Sequence, residues 1–238
     1  MAAGAAALAW VALYWFHMSP ANSHVHAHGA AFFTTIVNQA VESRFRRSLT
    51  FLSGWMLMIV AMMLPTILPL VENFRRATRG RADQARLLLL LLSGYLSVWS
   101  AFGLLLLFLA NAAGRLGASP AGPVGRILAA AVLFIAGIFQ FFPVKYRCLE
   151  KCRLPLSCVN WEDGHPRRTS LGLGLHYGAC CVGCCWALML VMFVAGSAQL
   201  AWMLILTVVM GVEKNLPWGR RLAKPIGTLL LGAAIFRL

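Results

Sequence analysis

Four cysteines fall within six residues of one apolar stretch, at Cys180, Cys181, Cys184 and Cys185. Residues four apart lie on the same face of an α-helix, so Cys180 stacks under Cys184 and Cys181 under Cys185. His176 precedes Cys180 by one turn. The four thiols span an arc of roughly 140° on a helical wheel, which is too wide for one ion held by one helix. If this stretch binds a metal, a second helix must contribute ligands.

Cysteine is also a small apolar residue that membrane helices use for packing, and a single cysteine would be interpreted in that way. The density of thiols here, with a histidine on the same face, favours a metal or redox site. Gly174 and Gly178 stand at GxxxG spacing just before the cysteines, and they predict close helix packing.

A second sulfur-rich stretch has four methionines in the eight residues that end two positions before Pro65. Met58 and Met62 share one helical face, and Met56 and Met63 share another. Methionine is commonly a core residue, but this density indicates a thioether site. Soft thiolate and thioether ligands select copper(I) over hard cations. Facing helices could present both sulfur groups at one depth.

Two more cysteines, Cys148 and Cys152, lie in a basic loop and would be one turn apart if that loop were helical. A cytoplasmic loop would keep them reduced and available as ligands. Their spacing matches no standard zinc pattern, which disfavours a structural zinc. We expect them to exchange metal at the cytoplasmic face.

Polar residues at two other positions could also take part. His24, His26 and His28 alternate in a loop after the first predicted helix, where they could capture copper or zinc ions weakly or form a solvated loop. Glu213 and Lys214 close the sixth predicted helix, and this boundary position predicts that they snorkel to the interface.

The chain that carries these residues is strongly apolar. Of its 238 residues, 60% are hydrophobic and 12% are charged, and the mean hydropathy is +0.75. A soluble domain needs more polar surface, and the apolar stretches approach the roughly 20 residues that span a bilayer. We predict an all-α, polytopic transmembrane helical bundle that forms a single integral membrane domain over residues 1–238. The spanning helices are 1–18, 50–70, 87–110, 124–142, 174–196 and 198–212, with a possible short seventh segment at 225–236.

The net charge of +14 predicts the topology. Six basic residues lie in 143–170, five in 71–86 and four in 213–224. By the positive-inside rule these loops and the N-terminus face the cytoplasm, and the histidine loop faces outward. Basic residues placed beside apolar segments indicate membrane orientation and disfavour nucleic-acid binding.

Four stretches, over roughly residues 50–220, together resemble a bacterial family of predicted metal-binding integral membrane proteins, a domain of unknown function. They are Trp55-x2-Met58-x2-Ala61-Met62-Met63-x-Pro65, Cys148-x3-Cys152-Arg153-x-Pro155-Leu156, His176-x-Gly178-x2-Cys181-Val182-Gly183-Cys184-Cys185-Trp186-Ala187-Leu188-Met189 and Glu213-Lys214-x2-Pro217-Trp218-Gly219. The resemblance implies metal binding in a bacterial inner membrane. The histidine cluster lies outside the matched stretches.

The leading hypothesis is a copper-handling membrane protein, acting as a chaperone, an insertion factor or a transporter component. Its partners would be the lipid bilayer and a metal donor or acceptor protein, or other membrane subunits. The candidate metal ligands are Met58, Met62, Met63, Cys148, Cys152, His176, Cys180, Cys181, Cys184 and Cys185, with His24, His26 and His28 for outer capture.

Two alternatives stay open. Cys181 and Cys184 form a C-x-x-C, which a membrane thiol–disulfide electron carrier would use as its redox pair. The chain could instead be a structural subunit of a larger membrane complex, with its cysteines packed. No P-loop and no phosphorylated-aspartate motif is present, so ATP-driven pumping by this chain has no support.

Overall fold

The computed structural model describes residues 10–11, 44–115, 123–153, 166–195 and 200–237. Within these ranges the chain forms eight α-helices and no strand, which confirms the all-α prediction. The helices are α1 (Arg44–Met63), α2 (Leu68–Ala77), α3 (Gln84–Arg115), α4 (Pro123–Phe139), α5 (Pro143–Arg153), α6 (Pro166–Ala195), α7 (Leu200–Asn215) and α8 (Ala223–Arg237). Two 3-10 turns cover Pro65–Ile67 and Gly219–Leu222.

Two of these helices are long and apolar enough to cross a membrane, and the number rises to four if each of two bent helix pairs counts as one span. The two long segments are Gln84–Ala112 and Pro166–Met192. The six predicted spans are therefore not all recovered. With 16 and 15 residues, α7 and α8 are shorter than a full span. Of the predicted helix 1–18, only Trp10 and Val11 are described.

The predicted helix 50–70 is a bent pair. α1 ends at Met63, a 3-10 turn begins at Pro65, and α2 continues at an angle of 42° to α1. Proline has no backbone N–H and its ring clashes with the preceding turn, so it interrupts the helical hydrogen bonds. The break leaves Thr66 at a buried bend, where its hydroxyl donates to the Met63 carbonyl over 2.8 Å.

The predicted loop 143–170 is wrong at both ends. Pro143, a favoured first helical residue, begins α5, which makes an angle of 66° with α4. Helix α5 was not predicted because five of its eleven residues are charged and it has little apolar character. At the other end α6 begins at Pro166, eight residues before the predicted start at 174, because the periodic apolar pattern is diluted there by Arg167, Arg168 and Thr169.

Among the described helices, α3 and α6 share the most extensive contact. A Cβ at Gly174 would collide with the Leu91 carbonyl oxygen, and one at Gly178 would lie 3.1 Å from Val98 Cβ. The predicted packing role of these glycines is confirmed, because only the small residue lets the two backbones approach so closely. This crossing places the cysteine face of α6 against Tyr95 of α3.

Candidate metal centre

Lys214, near the end of α7, lies buried at the centre of the sulfur-rich region. Its ammonium donates to Cys181 Sγ over 3.0 Å, to Thr66 Oγ1 over 3.4 Å and to Met63 Sδ over 3.7 Å. These three partners come from α6, from the 3-10 turn after α1 and from the last residue of α1. The side chain is 3% exposed, so a full positive charge is surrounded by sulfur and one hydroxyl.

Cys181 has a second polar neighbour on α3. The Tyr95 hydroxyl on α3 lies 3.2 Å from Cys181 Sγ, and both residues are fully buried. A buried ammonium needs an anionic partner, and a sulfur held between an ammonium and a hydroxyl is well placed to carry that charge. The thiolate is also the form of cysteine that binds metal.

The neighbouring thiols of α6 point along their own helix. Cys184 Sγ and Cys185 Sγ both donate to the Cys181 carbonyl, over 3.1 Å and 2.8 Å. α5 supplies Cys152, whose buried thiol interacts with Cys184. A second helix thus contributes sulfur next to the α6 cysteines, which the wide arc of the four thiols required.

Cys148 and Cys152 do not form the separate loop site that we expected, because α5 packs them against α6. A Cβ at Gly183 would lie 2.8 Å from Cys148 Sγ, so this glycine provides the space for the thiol. Cys152 is buried, and its carbonyl accepts a hydrogen bond from Tyr177 over 3.3 Å. Cys148 is half-buried, whereas the other five cysteines of the described residues are buried.

The predicted methionines differ in their polar contacts. Met58, Met62 and Met63 are all buried in the same core as the cysteines, and Met63 is the one to which the Lys214 ammonium donates. Met56 accepts a hydrogen bond from Ser100 on α3 over 3.3 Å. Among the predicted thioether ligands, Met63 is therefore the one that the structure brings to Cys181, through the shared ammonium.

Of the predicted histidines, His176 is described, and it is not a hydrogen-bond partner of Lys214. His176 is exposed, and its Nε2 lies 3.7 Å from Cys180 Sγ, one turn further along α6. The hydrogen bonds of Lys214 go to Cys181, Thr66 and Met63 instead. His24, His26 and His28 lie outside the described residues.

The snorkelling prediction for Glu213 and Lys214 is wrong, because both side chains turn inward. Glu213 accepts two hydrogen bonds from Lys145 of α5, over 2.8 Å and 2.9 Å, and Lys145 is itself completely buried. Lys145 also donates to the Gln140 side chain. An ion pair with an amide partner satisfies the charges that burial would otherwise leave exposed to low dielectric.

The end of α7 is held in place by Arg153 and by a tight backbone approach at Gly219. Arg153 of α5 donates to the carbonyls of Glu213 and Leu216 over 2.6 Å and 2.7 Å. These are carbonyls of a helix C-terminus, which lack helical partners and attract cations. A Cβ at Gly219 would collide with the Val212 carbonyl, so the chain can fold back only with glycine there.

The donor set fits copper(I), the soft ion that sulfur ligands prefer. Among the residues whose side chains are described, no group of three or more His, Cys, Asp or Glu residues could hold a metal ion. The cluster instead combines thiols with a thioether, the ligand types that select copper(I). The cation position between Cys181 and Met63 is taken by the ammonium of Lys214.

Sequence reasoning missed Lys214, Tyr95 and Thr66 as members of this site. The usable signal was Lys214, since an ionisable residue next to a membrane helix is a functional candidate. Tyr95 and Thr66 carry no comparable signal, because their roles follow from how α3 and the bend at Pro65 pack.

Comparison with known proteins gives one family. The family model described as PpoB2, copper chaperone, matches residues 52–237. No curated protein and no solved structure matches the chain. The matched range contains all the residues of the sulfur cluster, by which we mean Met63, Cys148, Cys152, Cys181, Cys184 and Cys185.

Proposed function

The chain belongs to the PpoB2 family of copper chaperones, and from this membership we propose that it is a membrane-embedded chaperone that holds copper(I) in its buried sulfur cluster. Copper handling follows from the family. The oxidation state, the ligands and the membrane setting are the proposal.

One observation carries the proposed site. Cys181 Sγ and Met63 Sδ, from two different helices, both contact the Lys214 ammonium. A thiol sulfur and a thioether thus already flank a cation in the core. Because copper(I) is also a singly charged cation and prefers such soft donors, it would take a position between them. Cys152 and Cys184 lie beside this position and are the candidates for a further thiolate.

Charge balance gives Lys214 a role in holding the cargo. Copper(I) bound by two thiolates carries one negative charge in excess. An unpaired charge is costly inside a protein. The Lys214 ammonium, moved aside by the incoming ion but still adjacent, would neutralise the complex. Glu213 is already paired with Lys145 and leaves Lys214 available for this task.

Cys148 is the proposed entry point for copper. It is half-buried, and its sulfur lies over Gly183, one residue before the buried Cys184. A donor or acceptor protein that binds copper through thiolates could exchange ligands first with Cys148 and then with Cys152 and Cys184. The outer histidines His24, His26 and His28 remain candidates for capture on the opposite side.

Exposed apolar side chains on α3, α4, α7 and α8 support the membrane setting. Phe108 on α3 is 70% exposed and Leu229 on α8 is 73% exposed. Further large apolar side chains, Leu89, Leu104, Phe134, Ile138, Val208 and Ile235, also face outward. Such a surface suits lipid and disfavours water. We propose a single membrane domain in a bacterial inner membrane, with the basic loops and the N-terminus cytoplasmic.

The thiol–disulfide alternative accounts for fewer features of this site. Redox exchange needs two cysteines that can reach each other, but it needs neither the Met63 thioether nor the Lys214 ammonium. Cys184 Sγ donates to the Cys181 carbonyl, along its own helix. The copper proposal uses all of these residues.

The proposal is tested by measuring copper bound to purified, reduced protein. We expect Cys181→Ser to lower bound copper strongly, because a hydroxyl is a poor ligand for a soft ion. Cys180→Ser is the matched control: it replaces a buried cysteine of the same helix, and it should retain wild-type copper. Equal copper in wild type and Cys181→Ser would overturn the proposed site, and a trapped mixed disulfide would favour the redox alternative.

A further inference from the structure

A basic cleft lies where the chain that follows α7 meets α5. It has a volume of about 420 Å³ and is lined by Phe141, Tyr146, Arg220, Arg221 and Lys224. Three segments meet there: the bend between α4 and α5, the first turns of α5, and the 3-10 turn that leads into α8. The copper proposal uses none of these residues.

The cleft has an excess of positive charge. Arg220 is held in place, since it pairs with Glu150 over 2.5 Å and lies 5.2 Å above the centre of the Tyr146 ring. Among the residues whose side chains are described, no carboxylate lies within ion-pair distance of Arg221 or Lys224. One acid therefore faces three bases, and two cationic side chains are available to an anion.

Three exposed apolar side chains lie within two residues of lining residues in the sequence. Phe142 and Trp218 are 50% and 51% exposed, and Val144 is 51% exposed. Exposed aromatic side chains beside basic ones are typical of the level at which lipid head groups meet acyl chains. Four of the five lining residues, Tyr146, Arg220, Arg221 and Lys224, belong to the segments 143–170 and 213–224, whose basic residues predict the cytoplasmic face. A soluble anion would be recognised by the bases alone. It would leave Phe142, Val144 and Trp218, here called the apolar rim, in water.

We propose that this cleft binds the phosphate group of an anionic phospholipid, with Arg221 and Lys224 on the phosphate and the acyl chains along the apolar rim. Basic pockets between membrane helices at the cytoplasmic face take such head groups. The inference rests on the proposed membrane setting but is independent of the copper site. The bound lipid would fasten α5, the 3-10 turn Gly219–Leu222 and α8 to the membrane at one point.

The test counts phospholipids retained by the full-length protein in native mass spectrometry. Purified protein is titrated with phosphatidylglycerol, with phosphatidylcholine, and with inorganic phosphate as competitor. We expect one tightly retained phosphatidylglycerol, little phosphatidylcholine, and no displacement by millimolar phosphate. Arg221→Gln with Lys224→Gln should weaken phosphatidylglycerol binding by about tenfold or more.

The matched control is Arg75→Gln with Arg79→Gln, which removes the same charge from two exposed arginines near the α2–α3 connection. It should bind phosphatidylglycerol like wild type, and both double variants should bind wild-type copper. Equal weakening by the two double variants would overturn the cleft as a site. Displacement by inorganic phosphate would overturn the lipid in favour of a soluble phosphate. If the wild-type protein retains phosphatidylglycerol but binds no copper, the copper site is contradicted and the cleft is left intact.

Discussion

Glu213 and Lys214 are neighbours at the end of α7, yet they enter two different buried environments. Glu213 meets hard partners, the Lys145 ammonium and, through it, the Gln140 amide. Lys214 meets soft ones, Cys181 Sγ and Met63 Sδ, together with one hydroxyl. One cluster is a closed ion pair, and the other places a cation among sulfur atoms.

We interpret the buried Lys145–Glu213 pair as structural and the buried charge of Lys214 as functional. In the Lys145–Glu213 pair each charge has its counter-charge within the protein, so it has nothing to exchange. At Lys214 the counter-charge is a polarisable sulfur, which can pass from an ammonium to a soft metal ion. We therefore expect changes in the first cluster to affect folding and changes in the second to affect copper.

The largest expected effect comes from Glu213→Gln, which leaves Lys145 buried without its counter-charge. Removing one partner of a buried ion pair costs about 3–5 kcal/mol. We expect a much lower yield of monodisperse protein and a clear fall in the unfolding temperature, measured in detergent. The fraction that does fold should bind copper like wild type.

A double variant sharpens this prediction. Lys145→Met with Glu213→Met removes both charges and keeps similar volume, so it should regain much of the stability that Glu213→Gln loses. If the double variant is as unstable as the single one, packing at these positions matters more than the ion pair. If Glu213→Gln is as stable as wild type, the contrast between the two clusters fails.

The second-largest effect is expected from Lys214→Met. Methionine keeps most of the side-chain length and adds a thioether, but it removes the charge that balances a copper complex of two thiolates. We expect copper affinity, measured by competition with a chelator, to fall about tenfold, equivalent to about 1.4 kcal/mol. A rise in affinity would instead mean that the ammonium only competes with the metal.

Met63→Leu should have a smaller effect, because one thioether is lost while the thiolates remain. The exchange is nearly volume-conserving, and we expect copper affinity to fall about fivefold, or about 1 kcal/mol. Met62→Leu is the control on the same helix and should leave affinity unchanged, since the described hydrogen bonds of Lys214 go to Met63, Thr66 and Cys181 and not to Met62. Equal effects from both would mean that the two methionines are not distinguished in the way the contacts to Lys214 indicate.

Cys148→Ser is expected to change only a rate. Cys148 is half-buried and lies at the outer end of the sulfur cluster. Loading from a thiolate copper donor, followed by stopped-flow, should slow several-fold, while the final copper content stays at the wild-type level. A lower final content would place Cys148 among the permanent ligands instead.

The sequence predicted the helical class, the sulfur-rich helices and the close packing at Gly174, because each rests on local composition and period. It did not predict α5, since a short helix with five charges has little apolar periodicity. That helix is stabilised by tertiary contacts, such as those of Lys145 with Glu213 and of Cys152 with Cys184.

The inward turn of Lys214 also could not be read from the sequence. A lysine at a helix end usually reaches the interface, and here the direction of its side chain is set by contacts that are distant along the chain. Arg153 binds the carbonyls at the end of α7, and Gly219 lets the following residues fold back against Val212. The spacing Glu213–Gly219 was recognisable as a motif, but its geometric reason needed the structure.

The central claim is that Met63 and Cys181 bind the same copper(I) ion, and copper X-ray absorption on selenomethionine-labelled protein tests it most directly. Loaded, reduced protein should show sulfur scatterers together with one selenium scatterer at bonding distance. The selenium scatterer should disappear in Met63→Leu and persist in Met62→Leu. A copper environment of nitrogen and oxygen, or a selenium scatterer that survives Met63→Leu, would contradict the account.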